Sequence, residues 1–119
     1  KIPKGLLNIS SSAFAHCTFS GEVEIPKGIL SIGEGSFYNS ENLQKIILPS
    51  TLELIDDYAF KSCKSLRVIE CKSTVPPVVR STAFNGVPLE DLTVIVPKSA
   101  LNDYKSSDFW SGLLLKTVE

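Results

Sequence analysis

Apolar side chains recur along this chain in short alternating trios: Val23-Glu24-Ile25, Ile46-Ile47-Leu48, Ile69-Glu70-Cys71 and Val94-Ile95-Val96. A period of two places the first and third members of each trio on one face of a β-strand and the middle member on the other. Pro26, Pro49 and Pro97 directly follow three of the trios. Proline donates no ladder hydrogen bond, so it marks where each strand stops. A few residues later comes a short apolar segment ending at Ile9, Ile32 or Ile55, then Ser10, Gly33 or Asp56, then a Ser/Ala-Phe pair. This order predicts a unit made of strand, turn, short extended piece and one helical turn, with Ser10, Gly33 and Asp56 as N-caps. A single helical turn is too short to be stable without tertiary contacts.

The units repeat. Pro3, Pro26 and Pro49 stand 23 residues apart, as do Ile9, Ile32 and Ile55, and Phe14, Phe37 and Phe60. Cys17, Ser40, Cys63 and Val87 form a further column of small side chains. The register then slips, with Phe84 following Phe60, and Val79 following Ile55, after 24 residues. A fixed period of this size signals stacked repeats, because no unit can bury its apolar face alone. Stacking lays the strands side by side in a parallel sheet at a spacing of about 4.8 Å. In the slipped unit "TVPPVV" carries the additional residue, which predicts an outward bulge with Pro76-Pro77 as an exposed extended corner. The incomplete first unit predicts that the chain is part of a longer array, of which roughly 4.5 turns are present here.

The stretch "LQKIILPSTLELIDDYAFKSCKSL", Leu43 to Leu66, resembles the BspA-like leucine-rich repeats of bacterial and protist surface proteins. The ending "LTVIVPKSALNDYKSSDFW" is similar to the segment that closes such arrays. The fold class expected is an α/β repeat solenoid: a right-handed leucine-rich-repeat coil with a short-stranded parallel sheet. Residues 1–20 are a partial repeat, 21–43, 44–66 and 67–91 whole ones, and 92–97 the last strand. Residues 98–119 are expected to form a helical cap, with Ser99 as N-cap of a helix reaching about Ser107 and with Leu101, Tyr104, Phe109 and Trp110 covering the last turn. The resemblance implies a non-catalytic, secreted or cell-surface module of a bacterium that binds a protein ligand, such as a host surface or matrix protein, in adhesion. A structural spacer and a carbohydrate-binding accessory domain are the alternatives.

Composition narrows the function further. Twelve basic and thirteen acidic side chains leave a formal charge of -1, with none of the basic excess that a nucleic-acid partner requires. The apolar runs are far shorter than the roughly 20 residues that span a bilayer, so no membrane insertion of this segment is expected. Cys17 and Cys63 share a column two turns apart, about 9 to 10 Å, beyond disulfide reach. With Cys71 they are expected to be buried thiols, since neither C-x-x-C nor paired-histidine spacing is present for a metal. His16 stands on a helical turn without a nucleophile motif. Asp56-Asp57 sits where Ser10-Ser11 and Gly33-Glu34 sit in the sister units, so it reads as a cap rather than an acid-base pair. Trp110 reads as an end-cap aromatic rather than a sugar platform. Gly33 and Gly35 lack the rest of a phosphate-binding fingerprint, and the sequon at Asn8 carries no meaning in a bacterial protein. No cofactor is expected.

A binding face, if the repeat has one, lies on the outward strand positions. They form one row of Glu24, Ile47, Glu70 and Ile95 and another of Glu22, Lys45, Val68 and Thr93. Ile47, Val68 and Ile95 are expected to expose apolar side chains there, a feature of recognition patches and equally of plain β-propensity. The projected face is only about 250 Å², against about 800 Å² per partner in a stable interface, so affinity would need neighbouring loops, further repeats or several copies.

Overall fold

The computed structural model of the chain describes residues 8–9, 13–15 and 21–117. Its strands are β1 (Asn8–Ile9), β2 (Gly21–Glu24), β3 (Ser31–Ile32), β4 (Leu43–Leu48), β5 (Leu54–Ile55), β6 (Val68–Cys71), β7 (Val78–Val79), β8 (Thr93–Val96) and β9 (Leu114–Thr117). They form two parallel sheets in place of the single expected one. The longer strands run β2-β4-β6-β8-β9, and the two-residue strands run β1-β3-β5-β7. Successive repeats thus contribute one strand to each sheet, the arrangement that a repeat solenoid requires. Ile9, Ile32 and Ile55 are register partners, followed by Val79 after the slip.

The inner members of the trios fill the space between the sheets. Ile25, Ile46, Leu48, Ile69, Cys71, Val94 and Val96 belong to one buried cluster, with Val23 packed against it. Through this cluster runs a file of stacked phenyl rings. Phe14, Phe37, Phe60 and Phe84 follow one another with centroids 5.4, 5.3 and 5.1 Å apart. Phe109 continues the file at 4.9 Å from Phe84, a fifth member that the column spacing did not reveal. Each inner ring meets a neighbour above and below, so its apolar area leaves water only when the repeats stack.

The segment before each phenylalanine is not the expected helical turn. The amides of Ser36, Tyr38 and Ser40 donate three residues back, to the carbonyls of Gly33, Gly35 and Phe37. Those of Gly35, Phe37 and Asn39 leave the repeat and donate to Asp57, Ala59 and Lys61 of the next, at 3.0, 2.8 and 2.8 Å. A helix would direct its amides four residues back along its own segment. Left-handed residues turn these amides outward: Gly35 (φ 64°) and Asn39 (φ 61°) in one repeat, Tyr58 (φ 59°) and Ser62 (φ 63°) in the next. The units are therefore joined by backbone hydrogen bonds on this side as well as in both sheets.

The column of small residues has a specific task. Ser40 Oγ donates to the Phe14 carbonyl at 3.3 Å, and Cys63 Sγ donates to the Phe37 carbonyl at 3.1 Å. Each ties its phenylalanine column one step back. Cys17, at the start of that column, lies outside the described residues, as do His16, Ser10 and Pro3.

The carboxyl-terminal segment departs from the expected helix over Ser99 to Ser107. A 3-10 turn at Lys98–Ala100 leads into α1 (Leu101–Lys105), whose N-cap is Ala100 with no side-chain cap bond. Ser99 lies inside the 3-10 turn, so it is unavailable as a cap. A further 3-10 turn, Phe109–Gly112, returns the chain to the sheet, where β9 pairs in parallel with β8. This end is thus part helix and part strand. Tyr104 and Trp110 are buried beneath it, 5.6 Å apart edge to face.

Candidate recognition surfaces

The parallel register aligns the eight outward positions as two rows. Glu22, Lys45, Val68 and Thr93 are partners across β2, β4, β6 and β8, as are Glu24, Ile47, Glu70 and Ile95. Strand β9 lengthens both rows, placing Leu114 beside Thr93 and Lys116 beside Ile95. Sequence reasoning missed these two because it assigned the segment to a helical cap, and "LLLKT" carries no apolar-polar alternation to mark a strand.

Exposure along the rows differs from expectation. Ile47 is only 8% exposed although it lies outside the core cluster. It is flanked by Glu24 and Glu70, and charges cross the face on either side of it. Lys45 Nζ lies 3.7 Å from Glu22 and 3.4 Å from Glu70, while Lys72 Nζ reaches Glu24 at 3.4 Å from two repeats away. Val68, Thr93 and Ile95 are half-buried. Polar pairs with a few half-covered apolar residues thus replace the expected exposed apolar column.

A second surface forms where the register slips. Val75 and Val78 are the most exposed large apolar side chains of the described residues outside the sheet face, at 72% and 61%. Ser73 holds the bend between them and the sheet: its Oγ donates to the Val75 carbonyl at 2.6 Å. From beneath, Tyr104 Oη donates to the Ser73 carbonyl at 2.8 Å and Trp110 Nε1 donates to the Pro77 carbonyl at 2.9 Å. Pro77 is consequently buried, and the exposed Pro76-Pro77 corner is corrected to a ridge clamped by the chain end. An open groove of about 450 Å³ separates this ridge from Leu30 and Ser50–Glu53. Another, of about 360 Å³, lies between β7 and Ser106–Trp110.

The remaining candidates do not converge. Asp56 Oδ1 accepts from the adjacent Asp57 amide at 2.7 Å, which is not the bond of a helix N-cap, and Asp57 Oδ1 accepts from Thr82 Oγ1 of the next repeat at 2.9 Å. Asp56 Oδ1 also lies 3.9 Å from Arg80 Nε, so both carboxylates tie to the following repeat. Trp110 is 1% exposed and presents no stacking face to a sugar. Cys63 and Cys71 are buried free thiols, each pushed up to about 12 by the loss of water around the thiolate. Cys71 also contacts the Tyr104 hydroxyl, whose own pKa burial raises. Such thiols are inert as nucleophiles. Among the described residues no group of three or more His, Cys, Asp or Glu side chains could hold a metal ion. No helix of the described residues is long and apolar enough to cross a membrane.

The family model of the BspA-type leucine-rich repeat region matches residues 1–110, in six copies. The chain belongs to the BspA-type leucine-rich repeat family. No curated protein matches it. Members of the BspA-type family are generally cell-surface or extracellular repeat proteins and typically non-catalytic. Most of the positions that the BspA-type pattern constrains are buried here, Leu43, Ile46, Leu48, Ile55, Ala59, Phe60 and Cys63 among them. Family membership consequently describes the interior of this chain in detail and its outer surface hardly at all.

Proposed function

We propose that this chain is a non-catalytic, extracellular protein-recognition module used in adhesion, with the outward face of its longer-stranded sheet as the contact surface. The observation that carries this reading is the register. Glu22, Glu24, Lys45, Ile47, Val68, Glu70, Thr93 and Ile95 fall into two rows, which Leu114 and Lys116 extend. A parallel stack keeps such positions equally spaced while the interior stays constant, so surface side chains vary without cost to the fold. The ligand class is a protein with a mixed-charge surface that meets Glu24, Glu70 and Lys45 and gains apolar contact at Val68, Ile95 and Leu114. The bacterial surface is the compartment proposed.

The ion pairs across the face, Lys45 with Glu22 and Glu70 and Lys72 with Glu24, favour one second reading, a structural spacer whose charges satisfy one another. The two readings separate in a single experiment. The purified chain is passed over immobilised extracellular-matrix proteins by surface plasmon resonance, beside the variants Lys45→Glu and Ile95→Asp. The recognition reading expects saturable binding to at least one of them and a loss of tenfold or more in either variant, with unfolding temperatures unchanged. Absence of saturable binding by the wild type leaves the spacer reading, and equal saturable binding by wild type and both variants overturns the sheet face as the contact surface.

A further inference from the structure

Sheet β1-β3-β5-β7 ends on an open edge at β7. In the earlier repeats the equivalent carbonyls are all paired with an amide of the following repeat: Ile9 with Gly33 at 2.8 Å, Ile32 with Asp56 at 2.9 Å and Ile55 with Arg80 at 3.0 Å. Val79 occupies the next place in this series, and no donor among the described residues reaches its carbonyl. Two residues earlier, the Pro77 carbonyl faces the same side and takes the Trp110 indole in place of a backbone amide. Among the described residues the series thus ends with one acceptor satisfied by a side chain and one with no donor, beside the groove between β7 and the segment Ser106–Trp110.

We propose that this edge is a docking site for an extended peptide segment rich in lysine or arginine and β-branched residues, which adds to β7 as a further strand. An open strand edge beside a groove is the geometry of strand addition, in which main-chain hydrogen bonds supply affinity and side-chain pockets supply specificity. The apolar requirement comes from Val78, Pro76 and Phe109 along the groove. The charge requirement comes from carboxylates alone. Asp108 lines this groove, Asp103 lines the adjoining one and Glu53 the one across the ridge, with no Lys, Arg or His among the described residues lining any of the three. The nearby cations Arg80 and Lys72 engage Asp56 and Glu24 instead. The ridge is held in place by Ser73, Tyr104 and Trp110 before any peptide arrives, which reduces the ordering cost of binding.

The probe is a synthetic octapeptide of alternating lysine and valine, titrated into the isotope-labelled chain with amide shifts followed by NMR. Controls replace lysine by glutamate, valine by serine, or methylate alternate backbone nitrogens. The expected result is shifts confined to residues 74–80 and 103–110, with affinity lowered at least tenfold by Asp103→Asn with Asp108→Asn and by backbone methylation in one of the two registers. Val78→Ser keeps the test meaningful, since that exposed position leaves folding intact, and it should weaken binding severalfold. Equal affinity for the glutamate peptide, indifference to methylation, or shifts centred on Lys45 and Ile95 would overturn the assignment. Lys45→Glu and Ile95→Asp should leave this binding unchanged, so the edge and the sheet face succeed or fail separately.

Discussion

Single residues in this chain are chosen by what the neighbouring repeat requires of them. Gly86 shows this at the backbone: it sits at φ 84°, and a Cβ there would lie 3.2 Å from the Ser62 backbone of the preceding repeat. Gly86→Ala combines left-handed strain with that contact and should destabilise the chain by about 1 to 2 kcal/mol in urea unfolding. Tyr58 and Ser62 adopt the same conformation without glycine, which is why neither letter announced a left-handed turn and why a helical turn was the natural expectation. Cys63 shows the same dependence at the side chain, since its thiol is spent on the Phe37 carbonyl. Burial raises both Cys63 and Cys71 from the ordinary 9.0 to about 12. A folded pKa above the unfolded one means that the stabilisation is complete below pH 9 and declines between pH 9 and 12, where only the unfolded chain ionises. Stability measured against pH should fall across that window. In a Cys17→Ser background neither remaining thiol should react with a disulfide reagent at neutral pH until the chain unfolds.

At the scale of elements, strands were legible and the ends were not. Alternation located β4, β6 and β8, with a proline marking the end of β4 and β8, because one face of each strand is buried and the other is not. It located the outward rows for the same reason. It did not show that Ile47 would be only 8% exposed, because burial at an outward position depends on the side chains of the adjacent repeats, Glu24 and Glu70 among them. Nor did it show β9: a chain that turns back after α1 to join a sheet depends on contacts far along the sequence. The ridge at Val75–Val78 was visible as an inserted residue, but its direction depends on Tyr104 and Trp110, which lie about thirty positions on. Tyr104→Phe tests that clamp. Losing its hydroxyl leaves the Ser73 carbonyl without this donor and should cost about 1 to 3 kcal/mol. Amide exchange around residues 73–78 should accelerate in the same variant, whereas a uniform change across all repeats would argue against a local clamp.

For the whole molecule, stability resides in interfaces between repeats rather than within them. Phenyl rings, alternate turn amides, two sheets and the Ser40 and Cys63 ties all join one repeat to another. Such a chain unfolds as one unit only if these interfaces are strong relative to the repeats themselves. The ring of Phe60 is where the interfaces meet, fully buried between Phe37 at 5.3 Å and Phe84 at 5.1 Å. Equilibrium urea unfolding of Phe60→Ala is therefore the most direct test. A loss of about 3 to 5 kcal/mol, with circular dichroism and tyrosine fluorescence changing together, is the expected result. A loss below about 1 kcal/mol, the range of an ordinary surface substitution, would contradict a core built on that stack.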